Sequence, residues 1–263
     1  MKENKYLITV TNEEMLNWKV KNINFLFPIE GYSVGFLKTF SIEEVQTSHS
    51  FLYINRILDT EAILKLKEDL KKVTQNIIGI CFTDLGLIRI VRELGLNLQL
   101  IYMQNHNTTN ASSINYYLED VDSVLVSSDI TKEEIFAILN RANKPLVLPY
   151  FMRVEAMYSR RTLLTNYENH FGLEKENRKV LHEEISKMDF LAVENPYGTV
   201  LYTNKFIDYR SIKHENILYF FINPIGLDNK TIEGILKGED LSSISDTGFL
   251  YKETYYRLKE EEK

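Results

Sequence analysis

Short apolar runs rich in β-branched and aromatic residues alternate along this chain with amphipathic segments. Eight such runs fall at near-regular intervals up to the seventh, and a long gap precedes the eighth. They begin at Tyr6, Asn24, Phe51, Ile77, Leu98, Ser123, Pro145 and Ile217. Strands of a parallel sheet have this character because crossover helices bury both faces of the sheet. The pattern therefore predicts successive parallel βαβ units.

The segments between the runs have helical periodicity. Residues 59–73 and 85–94 carry apolar side chains at helical spacing, and residues 12–21 are expected to form a first helix on the same criterion. Thr131 and Glu134 have the spacing of a capping box, directly before the apolar stripe of a further helix.

Eight βα units are the number that closes a (β/α)8 barrel, a fold that occupies about 250 residues as one domain. The chain has 263 residues, so we predict a single TIM-like (β/α)8 barrel domain over residues 1–263. The alternative is an open doubly wound sheet. A glycine-rich phosphate loop after the first strand would favour that fold, and the sequence has none there.

The gap between the seventh and eighth runs is too long for one helix and its turns. Residues 152–216 are therefore predicted to contain an insertion, with a helix over residues 166–187 that breaks near Gly172 and a hairpin over residues 190–204. An insertion after a barrel strand lies at the carboxyl end of the barrel, where barrel enzymes carry their active sites. The tail, about residues 245–263, is predicted to be a frayed surface segment.

Composition limits the chemistry and the location of the chain. Cys81 is the single cysteine, so the chain cannot build a disulfide framework or a cysteine-ligated zinc or iron–sulfur site by itself. The net charge of -6 argues against broad nonspecific attraction to nucleic acid. Residues 1–10 lack the apolar length of a signal peptide, and no run approaches the roughly 18 residues of a membrane span. We therefore expect a cytoplasmic protein without membrane contact.

The common catalytic signatures are absent. The sequence has no Walker loop, no dinucleotide-binding glycine motif and no nucleophile elbow. His182 begins a zincin-like sequence, but Ser186 stands where the second histidine ligand would be, so we expect no metal site. Cys81 lies in an apolar strand and is expected to be a buried thiol that packs as a small hydrophobic residue.

Polar side chains lie near the carboxyl ends of several predicted strands. They are Asn55, Asp84, Gln104, Asn105, Ser128, Asp129 and Asn223. In a barrel these ends converge on one mouth, which makes the side chains candidate ligand contacts. Each could instead cap the helix that follows, and for Asp84 and Asp129 we weigh the two interpretations equally.

The densest polar cluster directly follows the seventh predicted strand. It comprises Arg153, Glu155, Tyr158, Ser159, Arg160, Arg161, Asn166 and Tyr167. Arginine binds carboxylates and phosphates through paired N–H groups, and arginine and tyrosine both stack on nucleobases. We therefore predict a carboxylate or phosphate ligand at the barrel mouth; a solvated surface segment is the alternative.

The run Y-S-R-R-T-L-L-T-N-Y, Tyr158 to Tyr167, follows the strand P-L-V-L-P-Y-F. It resembles the signature of peptidase family U32, the collagenase-like peptidases, whose usual form is Y-S-G-R-C-L-L-S-N-Y after a strand that ends in His-Gly. Further similarity occurs at residues 84–86, 109–110, 198–199 and 204–205, so the resemblance extends in order over nearly the whole chain. It implies a barrel fold and adds Asn110 to the predicted ligand-binding residues.

The departures from the family pattern concern its metal centre. Members that work in oxygen-independent hydroxylation hold an iron–sulfur cluster on four cysteines. Glu155 and Thr162 stand where the first two would fall, Asp208 stands approximately where the last would, and the third has no counterpart. Residues 151–152, Phe-Met, replace the His-Gly pair. The resemblance therefore implies a chain without a cluster, and we expect no cofactor.

This cysteine-poor form looks most like the shorter of two paralogues from Gram-positive bacteria that are implicated in hydroxylating the wobble uridine of tRNA at carbon 5. The resemblance implies a cluster-free subunit that supports a cluster-bearing paralogue, with tRNA and a small carboxylate such as prephenate as further partners. Two alternatives are a peptidase of the same family and a degenerate interaction module without a ligand. Whether the chain catalyses any step by itself is left open by the sequence.

Overall fold

Twelve strands form one sheet in the computed structural model, which describes residues 4–18, 21–185 and 187–252. In chain order the strands are β1 (Tyr6–Thr9), β2 (Ile23–Pro28), β3 (Ser50–Ile54), β4 (Ile77–Phe82), β5 (Gln99–Tyr102), β6 (Ser123–Val124), β7 (Leu146–Ser159), β8 (Arg178–Glu183), β9 (Met188–Asn195), β10 (Gly198–Asp208), β11 (Ile217–Asn223) and β12 (Ser245–Asp246).

Helices connect most of the parallel strands. The α-helices are α1 (Thr60–Asp69), α2 (Gly86–Glu93), α3 (Ala111–Tyr117), α4 (Lys132–Arg141), α5 (Leu163–Phe171) and α6 (Asn229–Lys237), and short 3-10 helices span Glu13–Asn17, Ile42–Glu44 and Leu70–Lys72. The predicted capping box is confirmed, because the Thr131 and Glu134 side chains each accept the other's backbone N–H at the start of α4. In the described part of the chain, no helix has the length and apolar character needed to cross a bilayer.

Eight strands form a continuous parallel series. Their order is β6-β5-β4-β3-β2-β1-β11-β7, and each neighbouring pair is parallel. These are the eight strands expected from the sequence, so the prediction of an α/β fold with a large parallel sheet is confirmed. The insertion continues the sheet beyond β7 as the antiparallel strands β10, β9 and β8.

The predicted barrel is not confirmed, because the sheet is not closed. Between β6 and β7 the described residues form one isolated parallel bridge, from Leu125 to Val147, instead of a ladder. The reason is the length of β6, which has only two residues and pairs with β5 over both of them.

The parallel part of the sheet is nevertheless strongly curved, and its concave face encloses core side chains. The rings of Phe51 on β3 and Tyr219 on β11 are 5.7 Å apart, although two other strands separate β3 from β11 in the sheet. The hydroxyl of Tyr219 also donates to Gln99 on β5 at 3.2 Å. Gly79 on β4 leaves room for the Phe51 ring, because a side chain there would collide with it.

The insertion differs from the sequence prediction in its first half. α5 begins at Leu163 and ends before Gly172, whose φ of 65° is left-handed and stops the helix. The predicted second part of the helix is instead the strand β8, in which exposed and half-buried residues alternate. Alternation with period two is the pattern of a strand with one more sheltered face, so the helical interpretation of residues 173–187 was wrong. The predicted hairpin is confirmed as β9 and β10.

Two terminal predictions also need correction. Residues 245–252 are packed on the fold and not frayed, since β12 pairs with β10 and Leu250 is fully buried. Leu250 also accepts the N–H of Lys132 at the start of α4, at 3.0 Å. The rest of the predicted tail, residues 253–263, lies outside the described residues. The predicted first helix over residues 12–21 is the 3-10 helix Glu13–Asn17, and residues 19–20 lie outside the described part.

Candidate functional site

The carboxyl ends of the parallel strands lie along one edge of the sheet, called the carboxyl edge below. Thr9 ends β1 and Asn223 ends β11, and these two strands are hydrogen-bonded neighbours. Both residues are buried, and among the described residues neither Thr9 Oγ1 nor Asn223 Oδ1 has a hydrogen-bond partner. A buried polar atom without a partner costs free energy. The carboxyl edge therefore has unused hydrogen-bonding capacity, which a ligand could satisfy.

Asn55, Asp84 and Asn110 all form local hydrogen bonds near the carboxyl edge. The buried amide of Asn55 accepts from the N–H of Val34 at 3.0 Å and donates to its carbonyl at 3.1 Å, which fixes the loop after β2. Asp84 accepts the N–H of Gly86 at 2.9 Å, and Asn110 caps α3. Asp84 thus forms a turn directly before α2, Asn110 is a helix cap, and a ligand role for these three residues stays a prediction.

The guanidinium group of Arg153 is held by backbone carbonyls of β10 and of the loop after β11, which lie on either side of β7. It donates to the carbonyl of Thr203 at 2.9 Å, to that of Asn204, and to that of Ile225 after β11 at 3.3 Å. It also lies 4.3 Å above the centre of the Phe206 ring. Arg153 is therefore fixed in orientation, with its charge placed where β10 and the loop after β11 meet.

A second arginine, Arg178 on β8, lies next to this position. Its guanidinium packs against Gly226, so closely that a Cβ on that glycine would lie 2.7 Å from Arg178 Nη2. Gly226 directly follows Ile225, whose carbonyl accepts from Arg153. Burial, and secondly the charge of Arg178, lower the pKa of Arg153 to about 10. The two guanidinium groups are thus electrostatic neighbours, and neither has a carboxylate ion-pair partner among the described residues.

A cavity of about 310 Å³ is lined by Arg178 and by Ile225, whose carbonyl accepts from Arg153. It is bounded by the loops after β1, β2 and β11 and by the facing strands β8 and β9 of the insertion. Its polar lining includes Thr11, Asn12, Lys38, Arg178 and Asp228. This location, at the carboxyl edge and under an inserted hairpin, is where α/β proteins commonly bind small ligands.

The rest of the predicted arginine cluster is not brought to the cavity. Arg160 forms an ion pair with Asp59, the capping residue of α1, at 3.0 Å. Ser159 Oγ accepts the N–H of Arg161 at 3.1 Å, and the Arg161 side chain is exposed. The remaining predicted ligand residues are the half-buried Tyr158 and the exposed Asn166 and Tyr167. The structure therefore separates Arg153 from the rest of the cluster, whose ligand role stays a prediction.

An acidic side chain, Glu155, occupies another part of the carboxyl edge. It is half-buried on β7 and lies opposite the buried Tyr202 of β10. Burial raises the pKa of Glu155, and the nearby His106 partly offsets this shift. His106 Nδ1 is in turn 2.9 Å from Asp129, which also accepts from Asn105 at 3.2 Å. The strand-end residues Asn105 and Asp129 thus belong to one hydrogen-bonded group that faces Glu155.

The sequence profile of peptidase family U32 matches residues 38–178, more than half of the chain. The chain belongs to peptidase family U32. No curated protein matches it. Among solved structures it is similar to the spore cortex-lytic enzyme SleL of Bacillus cereus, with 11% identity over 91% of this chain and 75% of that one. The TM-score of that comparison is 0.43, and this likeness supports no conclusion about function.

In this U32 chain the residues of the signature run have a structural role. The buried carboxylate of Glu194 on β9 accepts the N–H groups of Leu164 and Thr165, at 2.7 and 3.0 Å, in the first turn of α5. It also accepts the hydroxyls of Thr165 at 2.5 Å and Thr199 at 2.6 Å. A carboxylate at a helix N-terminus pairs free N–H groups and complements the helix dipole. The N–H of Leu163 also donates to Thr199 Oγ1 at 2.8 Å, so two side chains of the hairpin, Glu194 and Thr199, fix the start of α5.

The positions that the U32 resemblance assigns to cluster cysteines have different contacts here. Thr162 immediately precedes α5, and Asp208 forms a bidentate ion pair with Arg210 at 2.7 to 3.0 Å. Glu155 faces the carboxyl edge as described above. Over residues 4–18, 21–185 and 187–252, no group of three or more His, Cys, Asp or Glu side chains could hold a metal ion.

Sequence reasoning predicted none of the polar residues that line the cavity, and it also missed the buried Glu194 that caps α5. Arg178 and Glu194 illustrate why. Arg178 was assigned to a helix, so its position on β8 beside Gly226 was hidden. Glu194 lies in the predicted hairpin, and no local pattern indicates that it reaches α5, about 30 residues earlier in the chain. The alternating polarity of residues 178–183 was a usable signal for the first, and the second had none.

We predict that Glu194→Ala destabilises the fold through the loss of the α5 cap. The substitution leaves the N–H groups of Leu164 and Thr165 and the hydroxyl of Thr165 without their acceptor, whereas the hydroxyl of Thr199 can still donate to the carbonyl of Arg161. We expect the free energy of unfolding to fall by about 2 to 4 kcal/mol. Urea denaturation measures the change. Glu174→Ala, at an exposed position after α5, is the control and should stay within about 0.5 kcal/mol of the wild type. Equal effects of the two substitutions would contradict the capping role.

A second prediction concerns the pH dependence of stability through Glu155. Burial raises the pKa of Glu155 in the folded state. At pH values above this raised pKa the carboxylate is ionised in the folded protein, which lowers the free energy of unfolding. As the pH falls through the raised pKa the carboxylate is protonated and this destabilisation disappears. Glu155→Gln should therefore stabilise the protein at about pH 8 and much less at about pH 4. Denaturation curves at both pH values test this, with Glu174→Gln as the exposed control. A Glu155→Gln variant that is no more stable than the wild type at the higher pH would show that burial of the ionised Glu155 does not destabilise the fold.

Proposed function

We propose that this member of peptidase family U32 binds a small anion, a carboxylate or a phosphate, beside Arg153 and Arg178 in the cavity at the carboxyl edge. The placement of the two guanidinium groups carries the proposal. They are close enough for the charge of Arg178 to lower the pKa of Arg153, and no carboxylate among the described residues forms an ion pair with either.

The energetics of the arginine pair favour an anionic ligand. Two like charges in a partly buried place repel each other, and an anion between them replaces this repulsion with two attractions. Arginine offers paired N–H groups that match the oxygens of carboxylates and phosphates. The three carbonyls that hold Arg153 fix its orientation before binding, which reduces the entropy lost when a ligand arrives.

The size and position of the cavity are consistent with a small ligand. Its volume of about 310 Å³ is at the lower end of the range for ligand pockets. We also infer that the eight parallel strands act as a barrel-like scaffold for it. The bridge from Leu125 to Val147, with the N–H of Val126 donating to Val147 at 2.9 Å, supports this inference, because it lies where a barrel would close.

For the biological role, we propose that the chain supports a cluster-bearing paralogue in the 5-hydroxylation of the tRNA wobble uridine, in the cytoplasm. The support is the resemblance of the signature run to the cysteine-poor paralogue, together with a single cysteine that is buried in β4. Prephenate is a candidate for the bound carboxylate, and tRNA is a candidate partner. In this role the chain holds a ligand and contributes no redox centre of its own.

Membership of family U32 also fits a peptidase, which is the second candidate function. A peptidase should cleave denatured collagen or peptides as the purified chain. An interaction module, the third alternative, should show neither cleavage nor stabilisation by small anions. The assays below separate these possibilities.

We predict that Arg178→Ala weakens anion binding by about 10- to 100-fold, because it removes charge-assisted hydrogen bonds to the ligand. Isothermal titration calorimetry and thermal shift with prephenate and with inorganic phosphate measure the effect, since a bound ligand stabilises the fold. Arg89→Ala is the matched control, an exposed arginine that pairs with Glu93 on α2, and it should bind as wild type does. Failure of both anions to bind the wild type would contradict the proposal and favour the interaction module.

The tRNA role makes a separate prediction. Deletion of the gene should abolish 5-hydroxyuridine derivatives in tRNA, as measured by nucleoside mass spectrometry, and expression of the wild-type chain should restore them. Complementation with the Arg178→Ala variant should restore less than complementation with Arg89→Ala, because only the first lacks the proposed ligand contact. Unchanged 5-hydroxyuridine in the deletion strain would eliminate this role. Anion binding, measured separately, would then have to serve a different process.

A further inference from the structure

The outermost strand of the sheet, β8, has a strand partner on one side only. It pairs with β9 in a continuous antiparallel register from Arg178 opposite Val193 to Glu183 opposite Met188, without a bulge. Among the described strands no other pairs with β8. Edge strands are commonly protected by proline, by bulges, by charged side chains such as lysine or by burial under a loop, because their free N–H and C=O groups can pair with another chain. β8 has no proline and no bulge.

The backbone groups that β8 turns outward follow from its pairing with β9. Glu194 donates its N–H to the carbonyl of Asn177 at 2.9 Å, immediately before the strand begins. In an antiparallel pair, hydrogen-bonded residues alternate with residues whose backbone groups point away. Continuing this alternation, Lys179, Leu181 and Glu183 bond to β9, and the backbone groups of Arg178, Val180 and His182 point to the free side.

The side chains of β8 are self-complementary in charge. Lys179 precedes Leu181 by two residues and Glu183 follows it by two. When such a strand meets a copy of itself in the antiparallel direction with Leu181 at the centre, each Lys179 lies opposite a Glu183. A parallel copy in register would instead place like charges side by side, which is unfavourable.

We propose that β8 is a dimerisation strand, and that it pairs antiparallel with β8 of a second copy of this chain across a two-fold axis at Leu181. In this arrangement Lys179 lies opposite Glu183 of the partner subunit, and Val180 lies opposite His182 of the partner subunit. The sheet then continues from one copy into the other.

Two observations select this register over its neighbours. A shift by one residue would set outward backbone groups against residues that bond to β9, so hydrogen bonds would be lost. A two-fold axis at Val180 keeps the hydrogen-bond pattern, but it places Lys179 opposite Leu181 and Glu183 opposite Asn177, so Lys179 and Glu183 do not face each other. The axis at Leu181 allows both the backbone hydrogen bonds and the pairing of Lys179 with Glu183 of the partner subunit.

The proposed contact buries part of the exposed apolar surface at this edge. Val180 is 56% exposed and Ile185, in the turn after β8, is 94% exposed. A second strand beside β8 removes part of this apolar surface from water and pairs the free N–H and C=O groups of the edge. A closed two-fold pair also ends further association through this edge, because each copy has one β8.

The oligomeric state of the full chain tests the proposal. Sedimentation velocity across a range of concentrations should show a monomer–dimer equilibrium. Val180→Pro should shift it to the monomer, because proline removes an N–H that points to the partner and leaves the bonds to β9 in place. Val180→Thr, which keeps that N–H, is the control and should dimerise like the wild type. A wild type that stays monomeric throughout, or a proline variant that dimerises normally, would overturn the proposal.

Charge reversal and crosslinking test the register. Lys179→Glu and Glu183→Lys should each weaken dimerisation about tenfold, because two attractive pairs become repulsive, and the double variant should restore it. In Leu181→Cys, oxidation should link the dimer, since facing residues of a non-hydrogen-bonded pair have a Cα separation of about 4.5 Å, within disulfide reach. The native Cys81 is fully buried and does not compete. Crosslinking through Val180→Cys instead, or no rescue by the double variant, would show that the axis at Leu181 is wrong.

Discussion

The rest of the structure depends on the strand β7, which takes part in two different pairing patterns. Its first half is parallel to β11 and belongs to the central sheet, and its second half is antiparallel to β10 and begins the insertion. The two patterns overlap at Phe151 and Met152, where both neighbours are paired at once. The hairpin is therefore a continuation of the central sheet, and its position over the carboxyl edge follows from the hydrogen bonds of a single strand.

The buried carboxylate of Glu194 completes this arrangement. It joins the start of α5 to the hairpin, so the segment after β7 folds back on the strands that continue from it. The signature run of family U32 lies in this segment. In this chain its threonine and leucine positions supply the N–H groups and hydroxyl that Glu194 accepts, and its arginines lie elsewhere. The signature run therefore forms a structural junction between α5 and the hairpin in this chain.

The carboxyl edge has two regions of opposite charge, one with Arg153 and Arg178 and one with Glu155. At the cavity, Arg178 is part of the lining and Arg153 donates to Ile225, so positive charge lies at the loop that follows β11. Farther along the edge, burial raises the pKa of Glu155 near His106. The proposed anionic ligand belongs to the first region, because a negative charge there would replace the repulsion between Arg153 and Arg178 with two attractions. The charge distribution therefore favours the end of the carboxyl edge near Arg178 over the end near Glu155 for the proposed anion.

The sequence by itself determined the eight parallel strands, the capping box of α4 and the hairpin, because these features depend on local periodicity and on residues close together in the chain. It also determined that a four-cysteine cluster has no place in this chain, since Cys81 is the single cysteine. The tertiary structure decided which arginines are neighbours. Arg160 and Arg161 lie close to Arg153 in sequence, but Arg160 pairs with Asp59 at the start of α1 and Arg161 is exposed. Arg178 comes near Arg153 because the loop after β11 contacts both: Gly226 packs against Arg178, and Ile225 accepts from Arg153. Periodicity also could not decide whether the sheet closes into a barrel. Closure depends on how far β6 extends beside β7. Because β6 has only two residues, a single bridge, from Leu125 to Val147, connects this part of the chain to β7.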